Sequence, residues 1–358
     1  MDEFYQQCLD LIKDKQYNSA YDMCATGEKN AKDDKEKSKF TFQKSLAAWY
    51  SGRYYEHFTL CDDILRQKIV DESVRQQAQK NIIFGMPQLQ SLKEIDLSNK
   101  IHLLDRFNIN PSIVRHGNKM IINIENLNKS TTEESLHSRN FLFEADLEIK
   151  RIKFWKELIP IGQQTKKKSI TGLQNVRLFS KDGKLYGIGT RFDSYQDNSV
   201  ITIIDIETGN ATWIEYCKDQ PQSDWSPIKD RFIFTLKSYI TFKISDSGQV
   251  YDQKIMKTNT NLDIRGSTQF IQTEKGYFGI VHEIILLENK KTFIHRNITL
   301  NDKMEIIHIS RPYYLTMIST EYVCGLERYE DKIYVTLGKG NTEAKLLIFD
   351  YEYFATVV

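Results

Sequence analysis

The chain has 358 residues, 40% of them hydrophobic and 27% charged, a composition that suits a soluble protein with one large core and a smaller unit. Its 49 Lys and Arg offset 48 Asp and Glu, for a net charge of +1, and residues 1–100 hold 15 basic against 16 acidic side chains. That balance gives no electrostatic reason to expect nucleic acid or an anionic membrane as a partner. Met1-Asp2-Glu3-Phe4 lacks the basic-then-apolar order of a secretory signal, and no apolar run approaches the ~20 residues of a membrane span. Five scattered cysteines, Cys8, Cys24, Cys61, Cys217 and Cys324, form no C-x-x-C pair. They argue against zinc and a disulfide framework and fit a reducing, cytoplasmic compartment.

Residues 1–85 read as helix pairs. Leu9, Leu11 and Ile12 lead to Tyr17 and Ala20, and Leu46, Ala47 and Trp49 lead to Tyr54 and Phe58. Tyr17 and Tyr54, Cys24 and Cys61, and Ile12 and Trp49 are each 37 residues apart. An aromatic followed by a small residue across a turn resembles a tetratricopeptide helix–turn–helix, whose period is ~34. The charged stretch Asn30 to Lys39 is a solvated turn leading into the next helix, and a further helix runs from Glu72 to Phe84. Residues 86–106 read as a linker.

From residue 107 the pattern changes to apolar runs of strand length, among them Met120–Ile124, Leu185–Ile188, Val200–Ile204, Tyr277–Val281 and Lys332–Leu337. Turn chemistry separates them, as in His116-Gly117-Asn118, Asp182-Gly183 and Thr208-Gly209-Asn210. About 250 residues of closely spaced antiparallel strands, at ~50 per unit, suit five blades of a propeller over 107–358. The expected fold is therefore a multidomain α+β chain, with tetratricopeptide-like helices followed by an all-β five-bladed propeller.

Polar clusters recur about once per blade or half-blade. They are Asn110-Pro111-Ser112, Gln174-Asn175-Val176-Arg177-Leu178-Phe179, Asp224-Trp225-Ser226-Pro227, Arg265-Gly266-Ser267-Thr268, Val281-His282, His295, and Glu321-Tyr322 with Gly325. Ring closure would gather such groups around one axis. At these residues the chain resembles the five-bladed propellers of the β-mannoside phosphorylases and β-1,2-mannosyltransferases. The nearest likeness is to a giant-virus and microbial branch with helical repeats beside the propeller. The likeness covers about 110–345. Four charged positions depart from the family pattern. Its catalytic Asp falls at Asn175, an arginine at Glu125, the E-K-N before Trp225 at Gln222-Ser223-Asp224, and a closing Asp at Asn341. An amide cannot transfer a proton as a carboxyl does, yet it still hydrogen-bonds a sugar hydroxyl.

What the resemblance implies is a glycosyltransferase or glycoside phosphorylase acting on a mannose-like hexose, with a sugar phosphate or nucleotide sugar as donor and no metal or bound cofactor. Asp224 or Glu321 would be the surviving acid or base, with Asp193 and Glu283 as other carboxylates. Asn110, Asn175, Arg177, Trp225, Arg265, His282, His295 and Tyr322 would bind substrate. Each also has a plainer reading. Arg177 and Arg265 are phosphate clamps or buried ion pairs between blades. Trp225 is a sugar platform or inter-blade core. His282 and His295 touch ligand or sit satisfied in the core. Glu321 holds a hydroxyl or pairs with Arg177 or Arg265, and Asn110-Pro111-Ser112 is a turn closing the ring. The alternative function is a catalytically degenerate propeller that binds a glycan or a protein, with the helices as a second docking face. No Walker A loop, G-x-G-x-x-G, G-x-S-x-G or H-E-x-x-H is present.

Overall fold

The computed structural model describes residues 2–100, 106–128, 135–161, 169–193, 198–214, 216, 224–236, 239–256, 262–287, 290–318, 320–340 and 342–356. Cys217, Gln222, Ser223 and Asn341, and the side chain of Asp193, lie outside them. The chain divides into two compact units, Met1–Pro87 with Thr258–Asp263 and Ile285–Lys290, and the remainder from Gln88 onward.

The first unit carries five helices, α1 (Asp2–Lys13), α2 (Tyr17–Asn30), α3 (Asp34–Tyr50), α4 (Tyr54–Arg66) and α5 (Glu72–Gly85). The charged stretch after Asn30 holds the start of α3. Asp33 accepts the Glu36 N–H at 2.7 Å, and Glu36 accepts the Lys32 N–H at 2.7 Å, which satisfies amides left over at the first turn. Asp71 caps α5 in the same way through the Ser73 N–H at 3.1 Å. Tyr17 and Tyr54 open α2 and α4, while Cys24 and Cys61 are fully buried within them. The 37-residue spacing is thus the repeat of one helix pair.

The second unit is a five-bladed β-propeller. Written from innermost to outermost strand, the first blade is Arg106–His116, Lys119–Asn128, Ser135–Ala145 and Ile152–Leu158. The second is Gln174–Lys181, Lys184–Asp193, Asn198–Asp205 and Ala211–Trp213, and the third Ser226–Ile228, Arg231–Thr235, Ile240–Ile244 and Val250–Ile255. The fourth runs Arg265–Gly266, Gly276–Leu287, Lys290–Leu300 and Ile306–Ile309, with Ile271–Thr273 also paired to Gly276–Leu287. The fifth is Glu321–Tyr329, Lys332–Lys339 and Glu343–Asp350, and its outermost strand is Lys93–Asp96.

Two expectations are corrected here. Residues 86–106 are not only a connection, because Lys93 pairs with Ile348 and Asp96 with Lys345 in the final sheet. Asn110-Pro111-Ser112 is not the closing turn, since it lies within the innermost strand of the first blade. Joining early and late strands in one blade pairs the outer edge of Glu343–Asp350 and ties the two ends of the propeller segment together. Lys-Glu-Ile-Asp is too short and polar to announce itself as an apolar run.

Side-chain clusters shared by neighbouring blades form the core. Ile113, Ile122 and Ile124 meet Tyr334, Leu346 and Ile348 between the first and fifth blades. Val114 and Leu142 meet Val176, Leu178 and Ile204 between the first and second. Phe278 and Ile280 meet Leu326, Val335 and Phe349 between the fourth and fifth, joined by Phe354 of the C-terminal helix α6 (Tyr351–Thr356). Each such fully buried side chain contributes roughly 1.5–3 kcal/mol. Along the axis, where innermost strands have a free edge, side chains supply the missing partners. Ser112 Oγ donates to the Val176 carbonyl at 2.6 Å, Ser267 Oγ to that of Val323, and Gln269 Nε2 to those of Ile113 at 2.6 Å and Leu326 at 2.5 Å. Gly325 is required here, because a Cβ would collide with the Ser112–Ile113 backbone.

Candidate ligand site at the propeller axis

Three residues in or just before innermost strands lie in the left-handed region: Asn110 (φ 44°) within the first blade's, Asn175 (φ 52°) near the start of the second's, and Asp224 (φ 63°) two residues before the third's. Asn and Asp adopt this conformation more readily than other side chains. Strand pairing slips between Ile109 and Ser112 and between Gln174 and Arg177, and such bulges re-aim side chains. Asn110 Nδ2 donates to Asn175 Oδ1 at 2.7 Å. Arg265 opens the innermost segment of the fourth blade, exposed and without an ion-pair partner among the described residues. Four blades thus supply, in or beside their innermost strands, two amides, a carboxylate and a guanidinium.

Behind them Arg177 is buried. Its Nη2 lies 3.1 Å from Asp224 Oδ1 and also donates to the Tyr322 hydroxyl, while its Nε donates to the Ser267 carbonyl. Tyr322 in turn donates to Asp224 Oδ1. Arg177 is thus a buried ion pair joining blades, one of its two expected readings, and it positions Asp224 instead of reaching a ligand. A guanidinium at this distance favours a charged carboxylate. Desolvation pushes the Tyr322 hydroxyl well above its ordinary value, so it stays a donor to Asp224.

Glu125 gives a contrasting carboxyl. It is buried and, among the described residues, meets neutral groups: the Asn175 N–H at 2.9 Å, Asn110 Nδ2 at 3.4 Å and Ser138 Oγ at 2.8 Å. Burial raises its pKa above the ordinary glutamate value, against those three donors. Ser138 Oγ also lies 2.7 Å from the Leu173 carbonyl, and a hydroxyl has one proton. Both contacts are satisfied when Glu125 is protonated and donates to Ser138, which donates to Leu173.

The remaining expected residues are placed less openly. Glu321 is fully buried and accepts the N–H groups of Leu315 at 2.8 Å, Thr316 at 2.6 Å and Met317 at 3.3 Å, with Thr316 Oγ1 at 2.5 Å. His295 Nε2 stands 3.2 Å from its Oε1, so Glu321 pairs with a histidine and not with Arg177 or Arg265. Burial raises the Glu321 pKa, but His295 and the Thr316 and Leu315 donors outweigh it and hold the carboxyl below its ordinary value. Its oxygens hold a loop. Trp225 is fully buried with its ring edge-on to Phe234 and Phe242, which leaves no face for a sugar; it is the inter-blade core. His282, opposite Arg265 in register, packs 5.4 Å from the Tyr322 ring. Its pKa falls to about 3, chiefly through desolvation, and neither ring nitrogen has a hydrogen-bond partner. Glu283 is taken up by Arg296.

Sequence reading noted Glu125 only as a departure from a pattern. Its signal was there as a carboxylate inside the apolar strand Ile121-Ile122-Asn123-Ile124-Glu125. Which strand would lie beside Asn175 was not legible. Among the described residues, no cluster of three or more His, Cys, Asp or Glu could hold a metal, and no helix is long and apolar enough to cross a membrane.

No protein-family model matches the chain, and no curated protein matches its sequence. Its fold is similar to those of several solved structures. A GDP-Man-dependent mannosyltransferase from Leishmania mexicana aligns with a TM-score of 0.55 and 12% identity, over 80% of this chain and 97% of that one. A β-1,2-mannobiose phosphorylase from Listeria innocua, in complex with β-1,2-mannobiose, aligns at 0.52 and 11% over 73% and 95%. A structure from the GH130 family of mannoside phosphorylases aligns at 0.52 and 12% over 69% and 85%. At these identities the likeness is one of fold.

Proposed function

We propose that the axial site takes a mannose-like hexose together with a sugar-phosphate or nucleotide-sugar donor, and that the protein is a glycosyltransferase or glycoside phosphorylase. What supports this reading is Asn110 hydrogen-bonded to Asn175, with Asp224 and an exposed Arg265 at the innermost segments of the third and fourth blades. Amides both donate to and accept from sugar hydroxyls. Asp224, oriented by Arg177 and Tyr322, is a fixed acceptor for a hydroxyl proton. Arg265 suits a phosphate whose negative charge grows as the glycosyl bond breaks. Glu125 and Asp224 sit in opposite environments, one favouring the neutral carboxyl and one the charged, a separation that suits an acid and a base. The activities of the mannosyltransferase and the phosphorylase that share the fold support the substrate class.

A thermal-shift panel of hexoses, hexose phosphates, phosphate and nucleotide sugars tests it. A ligand at about 100 times its dissociation constant adds about 2.7 kcal/mol to the folded state, for a rise of roughly 2–4 °C or less in a chain of this size. The control is Arg265→Ala, because its side chain is exposed, whereas Arg177→Ala would disturb the fold. A phosphate-bearing sugar that shifts wild type and not Arg265→Ala supports the proposal. Equal shifts in both proteins, or none in either, sink it.

The second reading, a degenerate propeller that binds a glycan or a protein, is favoured by one observation: Asn175 stands where the resemblance has an acid, and an amide cannot transfer a proton as a carboxyl does. Asn175→Asp separates the readings. Turnover that appears in the variant marks a decayed enzyme, and loss of stability without turnover marks a structural amide. In either reading the helices, as tetratricopeptide-like repeats, dock a protein. Replacing the exposed Tyr54 and Tyr55 by Ser is expected to abolish capture of that protein and leave sugar binding intact.

A further inference from the structure

An asparagine can offer a ligand either its carbonyl oxygen or its NH₂. At Asn175 the choice is made by a carboxyl on the second strand of the first blade. The backbone N–H of Asn175 can only donate, and it lies 2.9 Å from Glu125 Oε2. That oxygen is therefore an acceptor, whether or not Oε1 carries a proton. The Asn110 side chain stands 3.4 Å from the same oxygen, so the group it turns there is Nδ2. The same Nδ2 reaches the Asn175 side chain at 2.7 Å, and the atom that meets it must be Oδ1. Asn175 Nδ2 is left on the other branch of its amide. It makes no hydrogen bond among the described residues, and Asn175 is partly exposed.

Packing keeps this relay from turning over. Asn110 Oδ1 lies against Gly338 of the fifth blade, where any side chain would collide with it. Glu125 is held from its other side by Ser138 Oγ at 2.8 Å. Ser138 Oγ and Asn140 Nδ2 each also lie 2.7 Å from the Leu173 carbonyl, two residues before Asn175. The three inner strands of the first blade, through Asn110, Glu125 and Ser138 with Asn140, thus grip the segment that carries Asn175.

We infer that Glu125 is a positioning residue that sets what the axial site takes. Through Asn110 it turns the Asn175 amide so that position 175 offers an N–H, and the ligand oxygen received there is one without a proton. A hydroxyl finds no acceptor in the Asn175 side chain. This rests on the function proposed above and narrows it: the group beside Asn175 is the phosphate of the glycosyl donor, whose oxygens are acceptors, and not a hexose hydroxyl.

Two measurements test it, the first without ligand. By NMR of the isotope-labelled chain, with Asn110→Asp and Asn175→Asp assigning the signals, the Asn175 side-chain amide is expected to exchange its protons at least about tenfold faster than that of Asn110. Glu125→Leu should abolish the difference, and Glu125→Gln, whose carbonyl accepts as Oε2 does, should restore it. Equal exchange in wild type, or a difference that survives Glu125→Leu, overturns the relay. The second is calorimetric titration with mannose 1-phosphate at about pH 8, where a carboxyl at position 175 is ionised. Wild type and Glu125→Gln are expected to bind within about twofold of each other, Asn175→Ala about tenfold more weakly, and Asn175→Asp more weakly still. Asn175→Asp binding as tightly as wild type would show that position 175 accepts a hydroxyl proton, and would overturn the inference. Should Glu125→Leu not fold, Asn110→Ala removes the same link and is expected to weaken binding about tenfold; unchanged binding there overturns it too. No binding to wild type at up to about 10 mM would overturn the proposed function and what rests on it. An intact exchange pattern beside that result would place the fault in the function and not in the relay.

Discussion

Two glutamates near the axis, in the first and fifth blades, are both cut off from water, and their pKa values are shifted in opposite directions. Glu125 has three neutral donors and no cation, and burial pushes its carboxyl up. Glu321 has three backbone N–H donors, a threonine hydroxyl and His295, and it is held below its ordinary value despite burial. Burial alone does not decide charge at such a site. The number of donors and the presence of a basic partner decide it. Asp224 resembles Glu321, since Arg177 and Tyr322 both address one of its oxygens.

The comparison breaks most visibly at Arg177. Arg177→Met breaks the buried Arg177–Asp224 ion pair and is expected to lower stability by about 3–5 kcal/mol, read from chemical denaturation. Adding Asp224→Asn should return part of that loss. A double variant no more stable than the single one would show that the pair is not coupled.

Glu321→Gln comes next, at about 2–4 kcal/mol, because one amide oxygen cannot serve all the donors that the carboxylate accepts. The pH dependence gives the sign. A depressed folded pKa contributes stability that is present above the ordinary glutamate value and lost as pH falls through the folded value. The gap between wild type and Glu321→Gln should therefore narrow on acidification. A gap independent of pH would mean that Glu321 is not charged.

Glu125→Gln should behave oppositely. A raised folded pKa contributes stability that is present below the unfolded value and lost as pH rises through the folded one. The amide mimics the neutral acid, with its NH₂ facing Ser138. The variant should match wild type in acid and exceed it by about 1 kcal/mol at mildly alkaline pH. Loss of stability at every pH would show that the carboxyl is charged.

The smallest effect is expected at His282. With its pKa lowered to about 3, stability rises with pH from there to the ordinary histidine value of 6.5. His282→Phe should remove that slope and change stability at neutral pH by less than about 1 kcal/mol, because neither nitrogen is hydrogen-bonded. An unchanged acid limb in thermal melts would place the titration elsewhere.

Much of the propeller was legible because a strand with alternating or continuous apolar residues, bounded by Asp182-Gly183 or Gly117-Asn118, carries its own signal. The 37-residue spacing of Tyr17 with Tyr54 likewise marked equivalent helices. The polar clusters were legible as positions but not as roles. Trp225, Arg177 and Glu321 all sat in promising motifs, and all three proved buried with their polar atoms or faces enclosed. Exposure is a property of neighbouring blades, which no local pattern encodes.

By itself, then, the sequence determined the two-part organisation and the antiparallel strands, since periodicity and turn chemistry act within a few residues. Tertiary structure decided the rest. It placed Lys93–Asp96 on the final sheet, set Glu125 beside Asn175, aimed Gln269 across three blades, and left Arg265 open while enclosing Arg177. These outcomes depend on groups 50 to 255 residues apart meeting, as between Glu125 and Asn175 or Lys93 and Ile348. There, the hydrogen-bond partner supplied from another blade, and not the residue type, fixes what a side chain does.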